Sequence, residues 1–299
     1  MSAVLSTDPA ELKAILDSLG WPSPESPASS PPETFKPAAK PESTLAAMLG
    51  LTGTVALGDH LDRIPVLRPA IATEASAALH RQLLLTMLKR HSVISQRIDR
   101  RYNQAFSGLR PVPNAVAVWE VLVSNRALEQ RDRASLLIAT QKLIARYRFL
   151  FSSTMGVIRK EVFWLRDDVT RILTQHCAEA EPLLELDRVL TGALEQATGR
   201  TQHNLEEGVG KRFAESLIDA IIALPDAPAP EDLDCWYERR GFITRFLLDC
   251  RRLTKAILNS DWHQLRCLVE ACCGPLGEPL PPIAATADSD DSPIPEEIP

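Results

Sequence analysis

The chain predicts an all-α fold, an elongated helical bundle with a coiled-coil-like seam, on three observations. Long stretches without glycine or proline carry apolar residues at a 3.6-residue period. Most of the 23 prolines are confined to 22–41, 225–230 and 275–299, where they interrupt no helix. Nowhere do apolar and polar residues alternate over a β-branched, aromatic-rich run, as a half-buried strand requires.

Residues 8–19 read as a short amphipathic helix: Thr7 or Asp8 caps it, Pro9 suits its first turn, Glu11 favours its positive end and Gly20 ends it. With residues 1–20 assigned to that element, 21–41 form a disordered Pro/Ser-rich linker too poor in apolar side chains to order itself. The helix is thus a small hydrophobic element on a tether, able to fold back on the core or to dock elsewhere. The main bundle spans 42–224. After a stretch punctuated by Gly50, Gly53, Gly58, Pro65 and Pro69, residues 71–107 contain neither glycine nor proline. There Leu83, Leu84, Met87, Leu88, Ile94, Ile98, Tyr102, Ala105 and Phe106 share one side of a helical wheel. Asn114 can cap the next helix.

The 114–177 stretch is too long for one ordinary helix, so two or more are expected, with Gly156 as the sole interruption before about 177. Phe151, Met155, Ile158, Val162, Leu165, Val169 and Ile172 follow a 4-3-4-3-4-3 spacing, the seam of a coiled coil. Pro182 opens a helix carrying Leu183, Leu186, Leu190, Leu194 and Ala197. Gly208 and Gly210 read as an interruption before another marked by Phe213, Leu217 and Ile221. Residues 225–230 form a Pro-rich linker, and 231–273 the C-terminal helices. Asp232 or Asp234 caps that block, and Ile243, Leu247, Cys250, Leu253 and Ile257 form its stripe. The 274–299 tail, proline-rich with six acids and no base, reads as disordered.

Six cysteines lie in helix-like sequence with no basic-then-apolar leader before them, which suggests reduced thiols in the cytoplasm. The longest uncharged run before the tail, 43–58, is shorter than a bilayer span. Any association with the inner membrane is therefore expected to be peripheral, through a partner.

Net charge is −6, unevenly spread. Residues 80–110 hold seven bases against Asp99 alone, 126–171 hold ten bases and five acids, and 179–234 hold thirteen acids and four bases. Lys89 and Arg100 fall opposite the apolar face of the 71–107 helix, with Arg90, Arg97 and Arg101 towards one flank. These five are the candidates for binding nucleic acid or a protein partner, because such a surface can track phosphates. The sequence shows no base-reading fold signature, and few aromatics interleave with the bases.

Catalytic motifs are missing. EEGVGKRF at 206–213 has neither the spacing nor the Ser/Thr of a phosphate loop. There is no GxSxG or HExxH, and no histidine follows a glutamate at the spacing of a di-iron bundle. Adjacent His176 and Cys177 would point about 100° apart on a helix. The one metal candidate is His263, Cys267, Cys272 and Cys273, a zinc-compatible donor set lacking the CxxC knuckle. No enzyme and no cofactor are expected.

MGVIRKEVFWLRDDVTRIL at 155–173, LLELDRVL at 183–190 and GKRF at 210–213 resemble an uncharacterised all-helical proteobacterial family. The residues that carry the likeness are Leu165–Arg166, Leu183 to Asp187, and Lys211–Arg212–Phe213. Members are encoded beside MotA/TolQ/ExbB-like proton-channel proteins and OmpA-like peptidoglycan-binding proteins, including in one type of Zorya anti-phage defence system. The family has no assigned catalytic residues. The resemblance implies a non-enzymatic cytosolic adaptor or effector of a proton-driven membrane motor. The alternatives are a nucleic-acid-binding accessory protein using the basic 80–110 helix, and a zinc-binding helical protein. Any of the three could oligomerise.

Overall fold

The computed structural model describes residues 74–107, 112–130, 132–177 and 180–274, except the side chains of 193–198, 200 and 201. The 8–19 helix, the 21–41 linker and the 274–299 tail (beyond Gly274) lie outside the described residues. Those described are all-α: six helices, two 3₁₀ turns and no strand. None of these helices is long and apolar enough to cross a membrane.

Four long helices form the body: α1 (Glu74–Phe106), α3 (Arg133–His176), α4 (Glu181–Ile222) and α6 (Phe242–Cys273). Pairing across them fixes their directions. Arg97 meets Glu161 and Arg101 reaches Ser153, so α1 and α3 are antiparallel. Arg133–Asp219 and Arg166–Asp187 make α3 and α4 antiparallel. Asp99–Arg251 and His80–Gly274 do the same for α1 and α6. The result is an up-down-up-down bundle. The short α2 (Ala115–Ser124) and α5 (Asp234–Tyr237) adjoin one end of it, joined by the bond from Tyr237 Oη to the Pro113 carbonyl at 2.9 Å.

The expected apolar faces are buried in large part. On α1, Leu83, Leu84, Met87, Ile94, Ile98, Tyr102 and Ala105 lie inside, with Leu88 and Phe106 at the margin. On α3 the seam buries Phe151, Met155, Ile158, Leu165 and Val169, while Leu173 replaces Ile172 as the last deep residue. Two clusters result. One centres on Tyr102, Tyr147, Phe151, Phe213, Trp236 and Phe246; the other joins Leu83, Met87, Leu165, Leu173, Leu184, Trp262 and Val269. Val162 packs against both.

Two expectations about helix boundaries need correcting. Gly156 breaks nothing: α3 runs 44 residues through it. The break falls instead at 125–132, where Arg126 adopts a left-handed conformation (φ 53°) and Asp132 caps α3 by accepting the Ala134 and Ser135 amides. Polar capping residues, not a glycine, make this boundary. Likewise α4 passes uninterrupted through Gly208 and Gly210. A Cβ on Gly210 would lie 3.1 Å from Cδ of the exposed Arg148 side chain, a tight contact that a small shift of that side chain would relieve. The expected C-terminal helices of 231–273 separate at Gly241, where a Cβ would sit 2.2 Å from the Trp236 carbonyl oxygen. Only glycine lets α5 and α6 approach so closely. On α4 the stripe also shifts: Leu184 is buried, whereas Leu183, Leu186 and Leu190 are only partly so.

Gly156 sits mid-helix with open space where a Cβ would go. Gly156→Ala is therefore expected to stabilise the protein by about 0.5–1 kcal/mol through helix propensity, read as a higher urea midpoint with unchanged slope.

Candidate interaction surface

Among the described residues, the sequence-predicted metal candidates do not come together. His263 Nε2 and Cys267 Sγ lie 3.7 Å apart on an exposed face of α6. Cys272 and Cys273 point instead into the second cluster, beside half-buried Cys177. The zinc set is thus split between solvent and core, and no group of three potential metal ligands occurs among the described residues. Burial pushes the Cys272 and Cys273 thiols up to about 12, so both stay protonated and poorly suited to metal or nucleophilic chemistry. His176 ends α3, and Cys177 follows as its cap.

The basic residues of α1 divide in the same way. Lys89, Arg90 and Arg100 are exposed, and no acidic partner faces them among the described residues. Arg97 is tied to Glu161 of α3, and Arg101 donates to the Ser153 carbonyl and hydroxyl at 3.4 Å. Asp99, the one acid of that stretch, is drawn to α6 by Arg251 at 2.7 Å and Lys255 at 3.0 Å.

A half-buried polar cluster joins α3, α4 and α6. Arg166 Nη2 donates to Asp187 Oδ1 at 2.9 Å, both side chains about three-quarters buried. Burial raises the Asp187 carboxyl, an effect that Arg166 opposes. Asp261 is pushed up to about 6 by burial, against the pull of Arg159 and Arg166. Three of the residues behind the resemblance have structural contacts here, while Lys211 and Arg212 are exposed. Arg166 and Asp187 hold two helices together, and Phe213 is wholly buried against Tyr147, ring centroids 4.0 Å apart.

What remains unsatisfied is a surface. The side of α3 turned away from its seam, between α1 and α4, carries Ile138 (75% exposed), Phe149 (60%), Phe163 (68%) and Trp164 (51%). Phe149, Gly156 and Phe163 are spaced seven residues apart, so they line up along the helix. Lys142, Arg146 and Lys160 border them, all exposed, with Lys160 Nζ 4.7 Å from the Trp164 ring centroid. Exposed aromatics set among basic side chains on one face of a rigid helix make this a candidate protein-binding face. The heptad spacing of Phe149 and Phe163 was readable from the sequence, but masked by the stronger seam on the opposite side of the same helix.

No protein-family model matches the chain, and no curated protein and no solved structure matches it.

Proposed function

We propose that this protein is a non-enzymatic interaction protein whose outward α3 face binds another polypeptide. The observation that carries the reading is the exposed Ile138–Phe149–Phe163–Trp164 strip on a 44-residue helix. None of these four side chains belongs to either core cluster of the described residues, and large exposed aromatics on a rigid element supply the kind of anchor that partner helices use. Together with the resemblance at Leu165–Arg166 and Leu183 to Asp187, this favours a cytosolic adaptor or effector of a proton-driven membrane motor, with antiviral defence as its setting.

The test is affinity capture of the tagged protein from its own cells in mild detergent, with and without nuclease. Stoichiometric, nuclease-insensitive recovery of a MotA-like channel protein is the expected result. Phe163→Asp is expected to lower that recovery at least tenfold while leaving helix content and melting temperature unchanged, because Phe163 is exposed and belongs to neither core cluster of the described residues. Recovery of nucleic acid, or of partners lost with nuclease, would replace the adaptor reading with the nucleic-acid one.

A further inference from the structure

The outward face of α3 has a shape as well as an apolar character. Phe149 and Phe163 stand one heptad either side of Gly156, about 21 Å apart along the helix. All three are exposed. Apart from the backbone of its own helix, nothing lies within 4 Å of where a Cβ on Gly156 would sit, and one turn earlier Ser152 and Ser153 are small as well. The two rings therefore border a notch floored by bare backbone. Helices pack by setting a large side chain of one into a hole among the side chains of the other. The notch is a hole of that kind without its knob.

The charge along this strip has a side. Ser153 and Glu161 meet α1, and Arg166 meets Asp187 of α4, which fixes the two flanks of α3. At about 100° per residue, Lys142, Arg146 and Lys160 fall on the α1 flank of the strip, with Trp164 among them. All three cations are exposed, and none has an acidic partner among the described residues. Lys160 rests instead over the Trp164 ring. The neighbouring charges are already engaged: Arg97 pairs with Glu161, and Arg171 with Asp168 at 2.8 Å. Asp167 is the one exposed acid of α3. A second copy set on this face would bring a net excess of cations against its own, whereas an acidic helix meets them with opposite charge.

We propose that the notch at Gly156 and the cationic flank beside it take one occupant, an acidic amphipathic helix of a protein partner. A large apolar residue of that helix seats over Gly156 between the Phe149 and Phe163 rings. Its Asp and Glu residues lie towards α1, opposite Lys142, Arg146 and Lys160. Contact from one ring to the other takes about 14 partner residues, roughly four turns. The inference rests on the reading that this face binds a polypeptide, and it adds the chemistry of the partner. Salt weakens the contact, because the preference for an acidic helix is electrostatic.

The experiment selects binders to the full chain from a displayed library of helical peptides of about 21 residues, with their surface positions randomised. Acid-rich winners with a large apolar residue near the centre are expected. By fluorescence anisotropy their affinity should fall at least tenfold on Phe163→Asp and on Lys142→Glu/Arg146→Glu/Lys160→Glu, and again in 0.5 M salt. Gly156→Leu, which fills the notch, should lower it at least fivefold without lowering the melting temperature, since leucine favours a helix more than glycine does. Neutral or basic winners, winners indifferent to Gly156→Leu, or no binder to this face would overturn the proposal. So would self-association of the parent through Phe163, or displacement of the winners by single-stranded DNA at equal concentration. Cellular capture is scored separately. Neutral or basic winners that need Phe163 sink the acidic partner and leave the interaction reading standing. Acid-rich winners that need Phe163 and Gly156, with capture unchanged by Phe163→Asp, uphold the partner chemistry and remove the motor-adaptor reading.

Discussion

Phe213→Ala should cost about 3–5 kcal/mol, the usual range for deleting a fully buried aromatic, and lower the melting temperature by about 8–15 °C for a body of this size. Phe213 is fully excluded from solvent. It stacks on Tyr147 at 4.0 Å and packs against Phe246 at 4.8 Å and Phe242 at 6.1 Å, tying α4 to α3 and α6. Truncation leaves a cavity between three rigid helices, which cannot collapse to fill it. Such a loss is a large share of the roughly 5–15 kcal/mol that holds a typical domain together. Thermal unfolding followed by circular dichroism checks it. A drop of only a few degrees would mean that the aromatic cluster tolerates repacking.

Asp261→Asn should act in the opposite direction, and only at neutral pH. The Asp261 carboxyl, raised to about 6 from 3.8, holds its proton more tightly folded than unfolded. The folded state therefore carries the full penalty of a buried charge above about pH 6. That penalty disappears as pH falls from 6 towards 4, where the wild type gains stability relative to the variant. At about 1.4 kcal/mol per unit, and discounting for the partial exposure of the side chain, the amide should stabilise the protein by about 2 kcal/mol at pH 7.5. Near pH 4 the two should be equal. Urea unfolding at both pH values decides it: an amide variant less stable at pH 7.5 would show that Arg159 and Arg166 outweigh the burial.

The all-α class and the inward faces of α1 and α3 were readable from periodicity, because burial of one stripe is what makes a helix of this kind stable. The boundaries were less so. A single glycine costs a helix about 1 kcal/mol, which the packing of a 42- or 44-residue helix easily offsets, so Gly156, Gly208 and Gly210 interrupt nothing. Gly241 does mark a break, through a close backbone approach visible only in three dimensions. The Arg166–Asp187 pair was equally hidden, since residues 21 apart meet only once α4 folds back along α3. The outward strip was hidden for a different reason. A helix long enough to carry two apolar stripes presents the same spacing twice, and periodicity does not say which stripe faces the core.

The two core clusters share their helices. The same α1, α3 and α6 supply buried residues to both, without a break between them. Melting one cluster would strip those helices of half their packing, and isolated turns survive poorly in water. The four long helices are therefore expected to unfold as one foldon, their slowest amide protons at opposite ends of α3 exchanging with the same free energy of opening.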